Sequence, residues 1–262
     1  MASLPRYNFT DSKPLSIPID LNIQLSTNQS PKSLAECAMM KNIPYREAVG
    51  LLMHLAIAMH PDIAFAVTTV VQFGNDPGPV HWNAVKRIFC YLIGTKKLAL
   101  TYGGVKHSLE GFTDADGASQ EHRHAISSYT FLLDRGAVSW SSKKQELVTL
   151  SMTEAEYVAA MHAAKEAIWL RHLLQEVFRP LANPTTIHCD NQSAIALAKD
   201  GMFHTRTKHI DIWYHFIRFA VDNGSLHLLY CPTEDMIADT LTKALPSVKA
   251  KHFAAALGLH AT

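Results

Sequence analysis

Leu109-Glu110-Gly111-Phe112-Thr113-Asp114, Ser127-Ser128-Tyr129-Thr130-Phe131-Leu132-Leu133 and Ala137-Val138-Ser139-Trp140-Ser141 read as three short strands in succession, the last two joined by the turn Asp134-Arg135-Gly136. The pattern then changes. A long helix is predicted from about Thr153 to Phe178, and a fourth strand over Thr186–Cys189. A short helix from about Gln192 to Lys199 is ended by Gly201, and another from about Lys208 to Asp222 is ended by Gly224. Leu226–Cys231 supplies a fifth strand, and Asp235–Ala244 a last core helix. The order βββαβααβα predicts an α/β fold, a five-stranded mixed sheet flanked by helices: first an antiparallel meander, then strands entered through helices.

On the N-terminal side, residues 1–31 are rich in Pro, Ser, Asn and Asp, have no lasting periodicity, and read as an extended arm. Residues 32–104 read as a small helical subdomain. Tyr45–Met59 is apolar at helical spacing, Pro61 opens a second helix to Phe73, and Val80–Ile93 makes a third with Gly94 as its cap. A short strand, Leu98–Tyr102, enters Gly103-Gly104. The sheet domain then occupies residues 105–245, and 246–262 form a helical tail. The helices carry more apolar residues (Leu51, Leu52, Leu55, Ile57, Ile63, Phe65, Val67, Val70, Val71, Phe73) than so small a unit buries alone, so the subdomain is expected to dock on the sheet domain or a partner.

The chain has 262 residues, 48% hydrophobic and 18% charged, which suits a packed globular protein rather than a disordered one. A net charge of +1 means that any nucleic-acid binding comes from a local patch rather than from the whole molecule. The cysteines Cys37, Cys90, Cys189 and Cys231 form no CxxC pair, so neither a disulfide framework nor a zinc site is expected. No apolar run reaches the ~20 residues that a membrane span needs. The protein is expected to be intracellular, in a cytoplasmic particle or the nucleus, and not secreted.

Four acids fall where this topology gathers them. Asp114 ends the first strand and Asp190 the fourth, and sites in open α/β sheets form at the carboxyl ends of strands where chain direction diverges. Glu156 sits in the first turns of the long helix and Asp239 in those of the last. An acid near a helix N-terminus ordinarily caps it or complements its dipole. Ser151-x-x-Glu154 fits a capping box, which assigns Glu154 to the cap and Glu156 to the site. Asp116, two residues past Asp114, is read as a turn or rim residue. Clustered carboxylates imply cations, and hard oxygen ligands suit Mg²⁺. Two such ions ~4 Å apart clamp the attacking water and the leaving oxygen of a phosphodiester displacement.

Six strings occur in order: Phe112-Thr113-Asp114-Ala115-Asp116, Ser139-Trp140-Ser141-Ser142-Lys143-Lys144-Gln145, Ser151-Met152-Thr153-Glu154-Ala155-Glu156-Tyr157, Cys189-Asp190-Asn191-Gln192-Ser193-Ala194, Arg206-Thr207-Lys208-His209-Ile210-Asp211-Ile212 and Ala238-Asp239-Thr240-Leu241-Thr242-Lys243. Together they resemble consecutive signatures of the RNase H domains of Ty1/copia-type retrotransposons. Upstream, Pro44–Gly50, His60-Pro61-Asp62-Ile63 and His81–Arg87 are similar to the thumb and connection segments that follow the polymerase in these polyproteins. The resemblance implies an RNase H-like fold and a metal-dependent endonuclease that cuts the RNA strand of RNA–DNA hybrids. Its catalytic and metal-binding acids would be Asp114, Glu156, Asp190 and Asp239, holding two Mg²⁺ or Mn²⁺ ions. Asp114 would bridge both ions, with Asp190 and Glu156 on one side and Asp239 on the other.

The polymerase part of the same polyprotein is an implied partner. No Tyr-x-Asp-Asp is present, so polymerase activity is not expected of this chain. The loop Cys231-Pro232-Thr233-Glu234-Asp235 lacks the histidine that many RNases H carry, and Gly117 stands where many copia elements have Trp. The competing reading is a catalytically inactive nucleic-acid-binding or structural remnant. A DDE-type integrase would want Glu in place of Asp239. Candidate nucleic-acid contacts are Lys143, Lys144, Arg206 and Lys208 for phosphates, and Gln145, Asn191, Gln192 and Ser193 for the hybrid's minor groove. Trp140, Trp169 and Trp213 lie in apolar runs and read as core.

Overall fold

The computed structural model describes residues 12–103, 108–117, 124–149, 151–178, 183–199 and 211–262. The chain forms two compact units, one of residues up to Thr101 with Lys243–Thr262, the other Tyr102–Thr242. No helix among the described residues is long and apolar enough to cross a membrane.

The first unit contains helices α1 (Leu34–Lys41), α2 (Tyr45–Ala58), α3 (Ala64–Val71) and α4 (Pro79–Thr95), then strand β1 (Leu98–Leu100). The sequence pattern did not announce α1; a capping box starts it, in which Ser33 Oγ accepts from Glu36 N–H and Glu36 Oε2 accepts from Ser33 N–H. Pro61 opens only a 3₁₀ turn, Pro61–Ile63, before α3 begins. That turn carries Asp62, buried between His60 Nδ1 at 3.2 Å and the Tyr91 hydroxyl, which donates at 2.6 Å. Gly94 is not a cap but lies inside α4, where the N-terminal segment crosses: an added Cβ would stand 3.3 Å from both Leu15 O and Pro14 Cβ. The segment expected to be an extended arm is laid along α4, with Leu15 N–H donating to Cys90 O and Arg87 pairing Asp20 at 3.1 Å. Its Leu25 joins Leu52, Ile63, Val85, Ile88 and Phe89 in the unit's core. Most of the helices' apolar side chains are buried in this way, although Ile57 and Val71 stay exposed.

The second unit holds strands β2 (Leu109–Asp116), β3 (Ile126–Leu133) and β4 (Gly136–Lys144), helix α5 (Met152–Val177), strand β5 (Thr185–Cys189), helices α6 (Gln192–Lys199) and α7 (Asp211–Asp222), and strand β6 (Leu226–Tyr230). The sheet order is β4-β3-β2-β5-β6. The pairs β2–β3 and β3–β4 are antiparallel, whereas β2–β5 and β5–β6 are parallel. Asp134 and Arg135 both take positive φ (49° and 71°), the backbone of a two-residue hairpin turn whose twist matches the strands it joins. Strand β2 runs two residues further than the sequence suggested, since its ladder with β3 continues to Asp116 opposite Ile126.

Helix α5 lays an alanine-rich face (Ala160, Ala163, Ala164, Ala167) with Tyr157 and Met161 over Phe131, Ile187 and Leu228. Small side chains let the helix axis approach the sheet, and each large side chain fully buried there contributes about 1.5–3 kcal/mol. Trp169, expected in the core, is 56% exposed on the outer side of α5. The last core helix is also shorter than expected: Asp239 sits on a 3₁₀ turn, Ile237–Leu241. Thr242 closes that turn by donating its N–H to Asp239 O, an i+3 bond that does not propagate as α-helix. The chain then re-enters the first unit as α8 (Ser247–Ala256) and strand β7 (Leu259–Ala261), which pairs antiparallel with β1.

Candidate active site

The register of the sheet builds the site. Strands β2 and β5 run parallel with Thr113 opposite Cys189, so the next residue on each, Asp114 and Asp190, emerges at the same end of the sheet. Parallel neighbours of this kind open a crevice at their carboxyl ends. The turn carrying Asp239 packs on β2 and β3 and brings the third aspartate there. One carboxylate oxygen from each of Asp114, Asp190 and Asp239 lies within 4.8 Å of the others. On the other flank, Glu156, Cys189 Sγ and Asp190 form a second group with the same spacing. Asp190 belongs to both, so the structure brings all four expected acids to one place. Asp114, Glu156 and Asp239 are buried, and Asp190 is partly open.

Local chemistry separates Glu154 from Glu156. Ser151 caps α5 by accepting from Glu154 N–H at 3.2 Å. Both glutamates are buried, but only Glu156 is in a metal-compatible group among the described residues. Asp116 ends β2 half-buried and outside both groups.

Hydroxyls that the sequence reading did not single out hold the acids. Thr242 Oγ1 donates to Asp114 Oδ2, and Thr233 Oγ1 donates to Asp190 Oδ2 at 3.0 Å. Ser128, opposite Asp114 in the ladder, reaches Ala238 O at 3.1 Å. Thr242 and Thr233 each flank Asp239 closely in sequence, but nothing in the pattern says that their hydroxyls turn inward. Burial, then the charges of Glu156, Asp190 and Asp114, push the Cys189 thiol up to about 12. Burial first, then Asp235, Asp190 and Asp239, also raises Cys231.

Burial thus favours the protonated form of the Cys189 thiol while no ion is bound, and the acids beside it offer carboxylate oxygens. Closely spaced buried carboxylates are costly without cations, and their hard oxygens fit Mg²⁺ or Mn²⁺.

The expected nucleic-acid contacts divide. Lys143 is exposed and pairs Glu146 at 3.0 Å, and Lys144 is half-buried at the end of β4. Gln192 and Ser193 are exposed in the first turn of α6. Asn191 serves as that helix's cap, its Oδ1 accepting from Ala194 N–H at 3.0 Å. Gln145 faces inward: it is 6% exposed, and its amide donates to Ser127 Oγ at 2.6 Å and Ala155 O at 2.9 Å. It ties the end of the hairpin to the start of α5. Arg206 and Lys208 lie outside the described residues.

No family model matches the chain. The Pol polyprotein of the Nicotiana tabacum transposon TNT 1-94 is 43% identical over 258 residues, 98% of this chain and 19% of the polyprotein. The chain belongs to the Pol polyproteins of Ty1/copia-type retrotransposons. The polyprotein of the Arabidopsis thaliana transposon RE2 is 36% identical over the same share of this chain, which covers 17% of it. The chain thus spans less than a fifth of the length of either relative. Among solved structures, LC11-RNase H1 in complex with an RNA/DNA hybrid is similar over 52% of this chain and 94% of its own, with 14% identity and a TM-score of 0.39. The second unit has an RNase H-like fold, an assignment that rests on its strand order and directions.

Proposed function

We propose that the second unit is a ribonuclease H that hydrolyses the RNA strand of RNA–DNA hybrids with two Mg²⁺ or Mn²⁺ ions held by Asp114, Glu156, Asp190 and Asp239. The observation that carries this reading is the convergence of four acids, from two strand ends, a helix and a 3₁₀ turn, on one end of a mixed sheet. Ions bound there would supply an activated water and neutralise the leaving 3′ oxygen. The chain's own residues set up that chemistry. Asp190, shared between the two groups, links the Asp114–Asp239 side to the Glu156 side. Thr233 and Thr242 hold two of the carboxylates by donating to them. The four acids offer hard oxygen donors, which Mg²⁺ and Mn²⁺ prefer to the sulfur of Cys189.

Gln192 and Ser193, exposed at the start of the helix that follows Asp190, offer an amide and a hydroxyl to an A-like hybrid's 2′-hydroxyls. Lys143 would contact phosphate in a salt-dependent, sequence-blind way. The relatives from transposons TNT 1-94 and RE2 are polyproteins, and in that setting the unit would work on hybrid produced by a polymerase part of the same polypeptide.

The test is cleavage of a labelled hybrid by the full chain with Mg²⁺, beside Asp114→Asn. Cutting by the wild type and loss of about 10²- to 10³-fold in the variant is expected, as when an electrostatic stabiliser is removed from an active site. A wild type that cuts no better than Asp114→Asn leaves an inactive binding module as the reading.

A further inference from the structure

The acids are held in place by groups that carry no charge, and one of these joins the two ends of the catalytic unit. Thr242 is fully buried and is the last residue of the second unit, three positions after Asp239. Its hydroxyl donates to Asp114 Oδ2 across 128 residues of sequence. The same oxygen lies 3.3 Å from Asp239 O, and the Thr242 N–H donates to that carbonyl at 3.2 Å. A threonine hydroxyl has one proton to give, and an ionised carboxylate is a stronger acceptor than a neutral carbonyl, so the proton goes to Asp114. The rotation of an aspartate carboxylate is a soft, broad torsion. A fixed donor on one of its oxygens therefore sets where the other points. Ser128, bonded to Ala238 O at 3.1 Å, fastens the same turn to β3 from the other side.

We propose that Thr242 is the positioning residue of the acid cluster: its hydroxyl orients the Asp114 carboxylate while its backbone pins the turn that presents Asp239. Two of the acids are thereby registered against each other through one side chain. This inference rests on the ribonuclease reading but is separable from it, because the registration acts on ion binding before any substrate is present. It also explains why the catalytic turn tolerates being a single 3₁₀ turn. Thr242 supplies from the side the fixation that a longer helix would supply along its axis.

The experiment compares full-length wild type, Thr242→Val and Thr242→Ser. Valine keeps the volume and removes the donor, whereas serine keeps the donor and removes a methyl group. Mn²⁺ affinity is measured by calorimetry without substrate, kcat and KM on a hybrid at saturating Mg²⁺, and Tm for each protein. Thr242→Val is expected to lose about 10- to 100-fold in Mn²⁺ affinity and in kcat, the usual cost of removing a partner that orients a metal ligand. Hybrid KM should stay within about twofold, since the lost interaction does not touch the substrate. Thr242→Ser should recover most of the loss. The proposal is overturned if Thr242→Val binds Mn²⁺ and turns over like the wild type. It is also overturned if Thr242→Ser is as impaired as Thr242→Val with an equal drop in Tm, for then packing and not the hydroxyl is at work. A wild type that binds Mn²⁺ but cuts no hybrid would sink the ribonuclease reading alone, and the Mn²⁺ affinities of the variants would still decide the role of Thr242. A wild type that binds no Mn²⁺ sinks both.

Discussion

Replacing Gln145 by alanine should cost stability and leave hybrid affinity nearly untouched, although this residue follows the exposed Lys143 and the half-buried Lys144. Its amide nitrogen donates to Ser127 Oγ at 2.6 Å and to Ala155 O at 2.9 Å, and its own backbone N–H donates to Ala125 O at 2.8 Å. Alanine keeps the backbone bond and loses the two side-chain bonds, each worth about 1 kcal/mol net. Ser127 is 6% exposed, so its hydroxyl loses a donor where water enters poorly, which adds to the cost. Against that, Gln145 Oε1 is itself buried with no hydrogen-bond partner among the described residues, and its removal returns part of the loss. The balance is about 2 kcal/mol, and at about 2–4 °C per kcal/mol for a chain of this size the melting temperature should fall by about 4–8 °C. Because the lost bonds hold the first turns of α5, cleavage should fall as well, through a looser Glu156. The assay is urea denaturation together with hybrid binding at matched salt. A variant with wild-type stability and weakened hybrid binding would refute the reasoning, since it would mean that the amide works in the groove and not in the core.

Two further outcomes follow from the site and its core. Because the folded Cys189 thiol keeps its proton up to about 12 against an ordinary value of 9.0, its contribution to stability is complete below pH 9 and is lost as pH climbs from there towards 12. With chelator present, Cys189→Ala should flatten that alkaline loss in urea midpoints measured from pH 8 to 11, and an unchanged slope would count against the buried thiol as its source. Gly111→Ala should destabilise by about 1–3 kcal/mol. The added Cβ would stand 2.5 Å from Phe131 Cε1, and that fully buried ring is packed beneath α5 with nowhere to retreat; a wild-type urea midpoint would contradict this.

Much of the second unit was legible because its signals are periodic or charged. The strands announce themselves by composition and by turn residues at their ends, and helix α5 by a stripe of alanines long enough to show its period. The acids could be placed because the topology puts strand ends β2 and β5 side by side, and a capping serine accounts for Glu154. What escaped was structure without period. Strand β7 is three residues long and pairs with β1 from the far end of the chain, a return that no local pattern encodes. The capping reading of Gly94 failed for a related reason: the chain that lies close against it is a segment some eighty residues earlier. Trp169 followed the apolar run of α5 but falls on its outer side, where helical phase, not hydrophobicity, decides exposure.

The hydroxyl groups show the limit most clearly. Serine and threonine are common, and a sequence does not tell which of them faces inward, so Ser128, Thr233 and Thr242 gave no signal comparable to that of Asp114 or Asp239. Yet the physical problem of the site requires residues of this kind. Buried carboxylates need donors, or they protonate and lose their use as ligands. A lysine or arginine would satisfy them but would also cancel the negative potential that draws in a divalent ion. A hydroxyl donates a hydrogen bond and adds no net charge, so it can hold the Asp114 and Asp190 carboxylates in one orientation while leaving the cluster attractive to a cation. The acids mark the candidate site from sequence, then, and the neutral donors around them emerge only with the fold, because what matters in a hydroxyl is its direction.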